Sequence, residues 1–399
     1  MTENTAALQR DHFTWVAYLA VGFFVVLQSM VGPAMPFLRA ELGLNFAQGG
    51  LHLTTAAAGG LIVSALLPVL VRLLGRRGVF LVGGIGAGAG ARLLGVGQVL
   101  PLTLTGTLLI GLCGTGMLVT SQAALNDRFG ESAPQAIAEA NATGSFGGML
   151  APLIIGGVTA AGRSWRLGPL AVAALMIVIM ATSIGMNVPA GSAEPASVTG
   201  RLPPGIASIV GMLYLGVAVE WCLITWSTDF LVTAAGLDPS LASSLLGTFF
   251  VANVITRLAA ARLTRSVAVR VLLLVMVVLS LTGFLIFWLL PVAVPDLLPG
   301  VVTAVVGLFV AGLGIANFYP LLFALGLRSV PPNQTDRVSG RLSLAAALGV
   351  VTMPQLMGIA ADQIGLALSF TIVPVLLVAM LGVGVATLRA GQTDSTRVS

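Results

Sequence analysis

The chain has 399 residues, 57% of them hydrophobic and 8% charged, with a net charge of +5. Soluble domains carry about 25% charged residues, so 19 basic and 14 acidic side chains are too few to clothe one soluble globule, and a chain this apolar is not disordered. The basicity does not point to nucleic acid either: every basic residue is an arginine, and they are scattered without a dense patch.

Charge-free stretches mark the elements, because a transmembrane helix needs about 20 apolar residues. Residues 13–38 are the first such stretch, too long for a cleavable signal peptide and carrying Gln28. Residues 42–71 predict the second span. A third, 78–100, contains Arg92 and the glycines between Gly83 and Gly90. These glycines lie in an apolar helix and read as close helix packing, not as a nucleotide loop. The fourth span lies within 93–126 and carries Gln122 and Asn126 one turn apart; the fifth, 140–162, carries Asn141, Ser145 and Pro152. Residues 167–193 predict the sixth.

Residues 190–204 are rich in Pro, Gly and Ser and have no periodic apolar pattern, which marks a linker. Beyond it, 205–231 holds Glu220, Trp221, Trp226 and Asp229, and 241–261 holds Asn253 and Arg257 one turn apart. The remaining spans are 271–295, 297–327 with Asn317 and Tyr319, 342–361 with Pro354 and Gln355, and 363–388. This predicts an all-α integral membrane protein of twelve transmembrane helices in two pseudo-symmetric six-helix bundles, 1–189 and 205–399, joined by a cytoplasmic linker at 190–204. With both termini in the cytoplasm, fourteen arginines fall in inner connections and three, Arg39, Arg163 and Arg166, in outer ones. That asymmetry follows the positive-inside rule. Pro152 and Gly156 match Pro354 and Gly358 at one constant offset, a trace of repetition between the halves.

Twelve spans, inner termini, a central linker and the Gly75-Arg76-Arg77 turn after span two together resemble the major facilitator superfamily over essentially the whole chain. Pro68, Arg72 and Leu73 stand where that family's loop motif has Gly, Asp and Arg. In span five, Gly147 and Pro152 fit the antiporter signature, whereas Ala151 replaces a glycine. In span four, Gly114 and Gly116 fit the drug-exporter motif, whereas Ile110 and Cys113 replace its Arg and Gln. Span seven is similar to bacterial members with an acid–Trp pair in mid-helix. The resemblance implies a monomeric multi-pass transporter of the cytoplasmic (inner) membrane that works by alternating access, with spans one, four, seven and ten around a central pathway.

Within that frame each polar residue in a span has a functional and a structural reading. A charge at mid-depth costs at least about 2.5–3.5 kcal/mol, and burial makes a carboxyl easier to protonate. Glu220 is therefore read as the proton-coupling residue, against a static, hydrogen-bonded glutamate. A guanidinium does not titrate usefully, so Arg257 is read as a substrate ligand for an anionic group, as a partner for Glu220, or as an arginine snorkelling to the surface. Asn253, Gln28, Gln122, Asn126, Asn317, Tyr319 and Trp226 are expected to line the substrate path, or to act as interhelical glue. Arg76, Arg77, Pro152, Pro354 and Asp229 are expected at gates. The function expected is proton-coupled symport of a small organic solute, the alternatives being drug or metabolite antiport and uncoupled uniport. No catalytic triad, phosphate loop, metal cluster or cofactor motif appears, and Cys113 and Cys222 are isolated packing residues. An enzyme acting on lipid-linked substrates would need clustered acids or metal ligands in a polar loop, and the longest loops lack them. The partners expected are the solute, protons and the lipid bilayer, with no nucleic acid.

Overall fold

A computed structural model describes residues 10–186, 188, 203, 205–293, 300–331 and 334–395, and among the described residues it is all-helical, with no β-strand. The first charge-free stretch forms two helices, α1 (His12–Ser29) and α2 (Val31–Leu42). Pro33 lacks the N–H that would bond the Ser29 carbonyl, so the helix parts at Met30. At the start of α1, Asp11 accepts the Thr14 backbone N–H at 3.0 Å and caps the helix. The next helix, α3 (Phe46–Val96), has 51 residues. At about 1.5 Å per residue it is over twice the length of a bilayer's hydrocarbon core. It consists of two legs that meet at Gly75, whose φ of 68° belongs to glycine.

The order continues with α4 (Leu100–Phe129), a 3-10 turn at Gly130–Ser132, α5 (Ala133–Ala160), α6 (Leu167–Thr182), α7 (Ile206–Thr233) and α8 (Pro239–Ser266). It ends with α9 (Val269–Ala293), α10 (Gly300–Ile315), α11 (Phe318–Arg328), α12 (Thr335–Ile364), α13 (Leu366–Ser369) and α14 (Ile372–Ser395). Among the described residues nine helices are long and apolar enough to cross a membrane; two of these, Phe46–Val96 and Leu100–Ala160, exceed one crossing, and Leu167–Thr182 is a shorter apolar helix. Leu73, Val178, Leu258 and Val375 are exposed on the helix surfaces, as a hydrocarbon solvent permits.

By internal contact the chain falls into two compact units. Unit one comprises Met1–Met30, Thr55–Ala151 and Arg163–Glu194; unit two comprises Val31–Thr54, Pro152–Gly162 and Pro195–Ser399. The sequence division into 1–189 and 205–399 therefore differs from the contact grouping, because segments 31–54 and 152–162 pack with unit two. Two of the boundaries fall at backbone joints, Met30 and Pro152, where the helical bonding is interrupted. The linker expected at 190–204 lies outside the described residues apart from Pro203.

Inside unit one, α3 and α4 touch through their backbones. A Cβ on Gly111 would lie 1.8 Å from the Ala56 carbonyl oxygen, an approach only glycine permits.

Candidate functional site

Unit two carries a polar layer halfway along its helices. Glu220 sits half-buried in the middle of α7, within the field of the Arg257 charge on α8. Asn253, one turn before Arg257, is buried, and its side-chain oxygen has no hydrogen-bond partner among the described residues. The third contributor is the gap between α10 and α11. There Pro320 has no N–H to offer the Ala316 carbonyl, and the helix opens at Ala316 and Asn317. Arg257 Nε donates to that carbonyl at 3.3 Å, and the Asn317 amide donates to the Thr256 carbonyl at 3.1 Å.

Glu220, Asn253, Arg257 and Asn317 thus share one neighbourhood. Asn317, expected to face the substrate path, is instead buried with its amide committed to Thr256. Tyr319 is exposed and stacks on Phe323 at 5.4 Å. Chemically, the layer offers one protonatable acid and one permanent cation. Among the described residues no group of His, Cys, Asp and Glu is arranged to hold a metal ion.

A second cluster lies at the end of unit two that holds the α2–α3 turn. Arg39 of α2 pairs with Asp229 of α7 at 2.6 Å, and its guanidinium lies 3.5 Å over the Phe46 ring. Asp229 is 1% exposed. One carboxylate oxygen of Asp229 and the Nε of Arg39 are buried with no hydrogen-bond partner among the described residues. The first turn of α3 is held from α12: Asp362 accepts the N–H groups of Phe46 and Ala47 at 2.7 and 2.9 Å. An acid at a helix N-terminus satisfies orphan donors and opposes the positive end of the dipole. Within the turn, Asn45 and Gln48 bond each other's backbone reciprocally. Gln355 donates to the Ala47 carbonyl at 3.1 Å and accepts from Thr54.

Trp226, expected to line the substrate path or to act as interhelical glue, is fully buried; its ring meets Phe46 edge-on at 5.7 Å, and its N–H donates to the Pro354 carbonyl at 2.9 Å. Its large apolar body and single donor are both spent on packing. α2 also approaches α7 so closely that a Cβ on Gly32 would lie 1.9 Å from the Ile224 carbonyl oxygen, and Ser243 of α8 donates to the Pro33 carbonyl at 2.8 Å. Pro152 packs on this unit beside Gly247. Sequence reasoning missed Arg39 and Asp362 as site residues. The available signal was Arg39 itself, one of three arginines outside the positive-inside pattern.

Unit one places its polar residues differently. Gln28 is half-buried near the end of α1. Gln122 donates to Asn141 at 3.3 Å, and Asn126 is exposed. Arg10 grips Glu139 with two nitrogens at 2.6 and 2.8 Å, and Tyr18 and Gln135 donate to the same carboxylate. Arg128 pairs with Asp11 and Arg76 with Asp127, while Arg77 is exposed. Burial pushes the Asp11 carboxyl up, but the two Thr14 bonds and the Arg128 charge outweigh it and hold Asp11 below the usual carboxylate range.

Residues 17–293 match the family model of the Major Facilitator Superfamily. An MFS-type transporter of Yersinia pestis is 28% identical over 375 residues, covering 90% of this chain and 91% of that protein. The crystal structure of a bacterial homolog of the human lysosomal transporter Spinster, inward-facing and occupied, has a TM-score of 0.74 at 15% identity, covering 94% of this chain and 96% of that one. The nucleoside transporter NupG has a TM-score of 0.73 at 12% identity, covering 95% and 99%.

Proposed function

This chain belongs to the Major Facilitator Superfamily, and we propose that it is a secondary active transporter that moves a small organic solute by proton-coupled symport. That it is a multi-pass membrane transporter, and not an enzyme, follows from the family and from relatives that are transporters. It is a monomer in the cytoplasmic membrane with both termini inside. It makes twelve crossings if α1 and α2 form one span, each leg of α3 counts once, α10 and α11 form one span, and α13 is counted with α14.

The observation that carries the coupling is Glu220, a carboxyl in mid-helix and within the field of Arg257. An acid whose access to water changes sides loads a proton on one face and releases it on the other. Arg257 supplies the countercharge and is the ligand for an anionic group on the solute, with Asn253 beside it. Tyr319 extends this lining in unit two, and Gln28, Gln122 and Asn126 line the path in unit one. Asp229 acts as the outer gate through its pair with Arg39, with Trp226 and Pro354 behind it and Pro152 at the joint of α5; Arg76 and Arg77 serve the inner side. Alternating access then follows from the two states these gates allow.

The test begins with a thermal-shift screen of the purified protein against sugars, carboxylates, amino acids and cationic drugs. With the stabilising solute in proteoliposomes, a pH gradient should drive accumulation in wild type and not in Glu220→Gln, while exchange without a gradient survives. Unchanged accumulation in the variant removes Glu220 from the coupling. Efflux that takes up protons in exchange replaces symport by antiport, and transport indifferent to the gradient leaves a uniporter.

A further inference from the structure

The gap in span ten shows how Glu220 can act on the fold, an inference that rests on the proton-carrier reading above. A helix bonds each carbonyl to the N–H four residues on. Pro320 removes that donor from Ala316, and Arg257 Nε takes its place at 3.3 Å. One residue away the bond runs in the opposite direction, from the Asn317 amide to the Thr256 carbonyl at 3.1 Å. Neighbours 256 and 257 of α8 therefore clasp neighbours 316 and 317 of span ten reciprocally. The clasp sits where the stiffness of span ten changes. α10 is fixed at backbone distance on two sides: a Cβ on Gly312 would lie 2.6 Å from the Phe249 carbonyl oxygen of α8, and one on Gly314 would lie 2.4 Å from the Ser280 nitrogen of α9. α11 meets its neighbours through side chains instead, Phe318 against Gly216 of α7 and Leu342 of α12 against Gly326.

Glu220 stands one turn beyond Gly216, so α7 brings its carboxyl toward the start of α11. The charge that acts on it is that of Arg257. Among the described residues, Glu41 is exposed at the end of α2, and the other ionisable groups on the helices around α7 are engaged or distant. Arg39 pairs with Asp229, Asp362 caps α3, Tyr214 bonds Thr352, and Tyr319 stacks on Phe323. Arg328 lies at the end of α11, about 15 Å from the gap counted along that helix, and Arg337 and Arg341 lie in the first two turns of α12.

We infer that Glu220 and the Ala316 carbonyl compete for Arg257, so that the charge on Glu220 sets the angle of α11 against α10. With Glu220 neutral, Arg257 stays on Ala316 and the clasp is closed. With Glu220 charged, Arg257 is drawn toward the carboxylate, Ala316 loses the donor that replaced the missing N–H, and α11 swings on the Asn317 joint. Arg257 and Asn317 are positioning residues in this device.

The experiment measures the bend within span ten itself. Spin labels at Val302→Cys on α10 and Ala324→Cys on α11, in a Cys113→Ser, Cys222→Ala background, report one distance distribution at acidic and at alkaline pH. The infrared carboxyl band assigned through Glu220→Gln reports protonation in the same samples. The wild-type distribution should shift with pH in step with the band. Glu220→Gln should hold the acidic distribution at both pH values, Arg257→Gln should broaden it at both, and Pro320→Ala, which restores the helical donor, should give a single narrow distribution at both. If the band titrates and the distance does not follow, or if Pro320→Ala behaves like wild type, the clasp is overturned while the proton carrier stands. If the band does not titrate, the carrier reading fails first.

Discussion

The Arg39–Asp229 pair in unit two and the Arg128–Asp11 pair in unit one join the same two residue types in opposite surroundings. The first is buried, with side chains 15% and 2% exposed, and each partner keeps an atom unsatisfied among the described residues. The second lies open, at 37% and 38%, with water to complete its bonding. Exposed pairs contribute about 0–1 kcal/mol and are screened by salt. A buried pair adds little over an apolar replacement, yet removing one partner strands a charge and costs about 3–5 kcal/mol. The unit-one pair therefore trims the ends of α1 and α4. The unit-two pair is a lock: costly to break halfway, cheap to replace whole, and incompletely satisfied even when closed.

The largest expected effect breaks that lock on one side. Asp229→Ala should destabilise the purified protein by about 3–5 kcal/mol, and the double variant Arg39→Met, Asp229→Leu should recover most of the loss. Thermal unfolding in detergent measures both, and equal losses in the single and double variants would show that the pair is not acting as a unit. Next comes the bond that ties α3 to α12. Asp362→Asn removes a charge-assisted cap, worth about 1–2 kcal/mol. It should also raise the rate at which a thiol reagent reaches Thr54→Cys, a residue bonded to Gln355. An unchanged rate would make Asp362 a local cap and no part of the lock.

The span pattern was legible because charge placement and apolar length are local properties. The stretches 93–126 and 140–162 correspond to α4 and α5, and the Gly75 turn was visible in the loop motif. Glu220, Asn253, Arg257 and Asp229 were legible as charges or amides where a bilayer penalises them. What they touch was not. Arg39 and Asp229 are 190 residues apart, and Asp362 lies 316 from Phe46; no periodicity encodes such pairings. Trp226 misled because an aromatic beside polar neighbours reads alike whether it faces solute or fills a helix joint. The gap at Asn317 was signalled by Pro320, which orphans the carbonyl four residues earlier, but which donor would fill it depended on the packing of α8.

The smallest effect tests the exposed side of the comparison through pH. Asp11 titrates lower in the folded chain than an ordinary carboxyl, because the Thr14 bonds and the Arg128 charge outweigh its partial burial. Its contribution is therefore complete at neutral pH and fades as the pH falls through that lowered value. Asp11→Asn should cost about 0.2–1 kcal/mol at neutral pH, and the gap to wild type should close in acid, below the unfolded value of about 3.9. Salt should narrow the same gap at neutral pH, and should leave that between wild type and Asp229→Ala nearly unchanged, since buried charges are screened much less. Unfolding midpoints across a salt series decide it: equal salt sensitivity in the two variants would mean that the two pairs sense the same solvent, and the contrast between lock and trim would be lost.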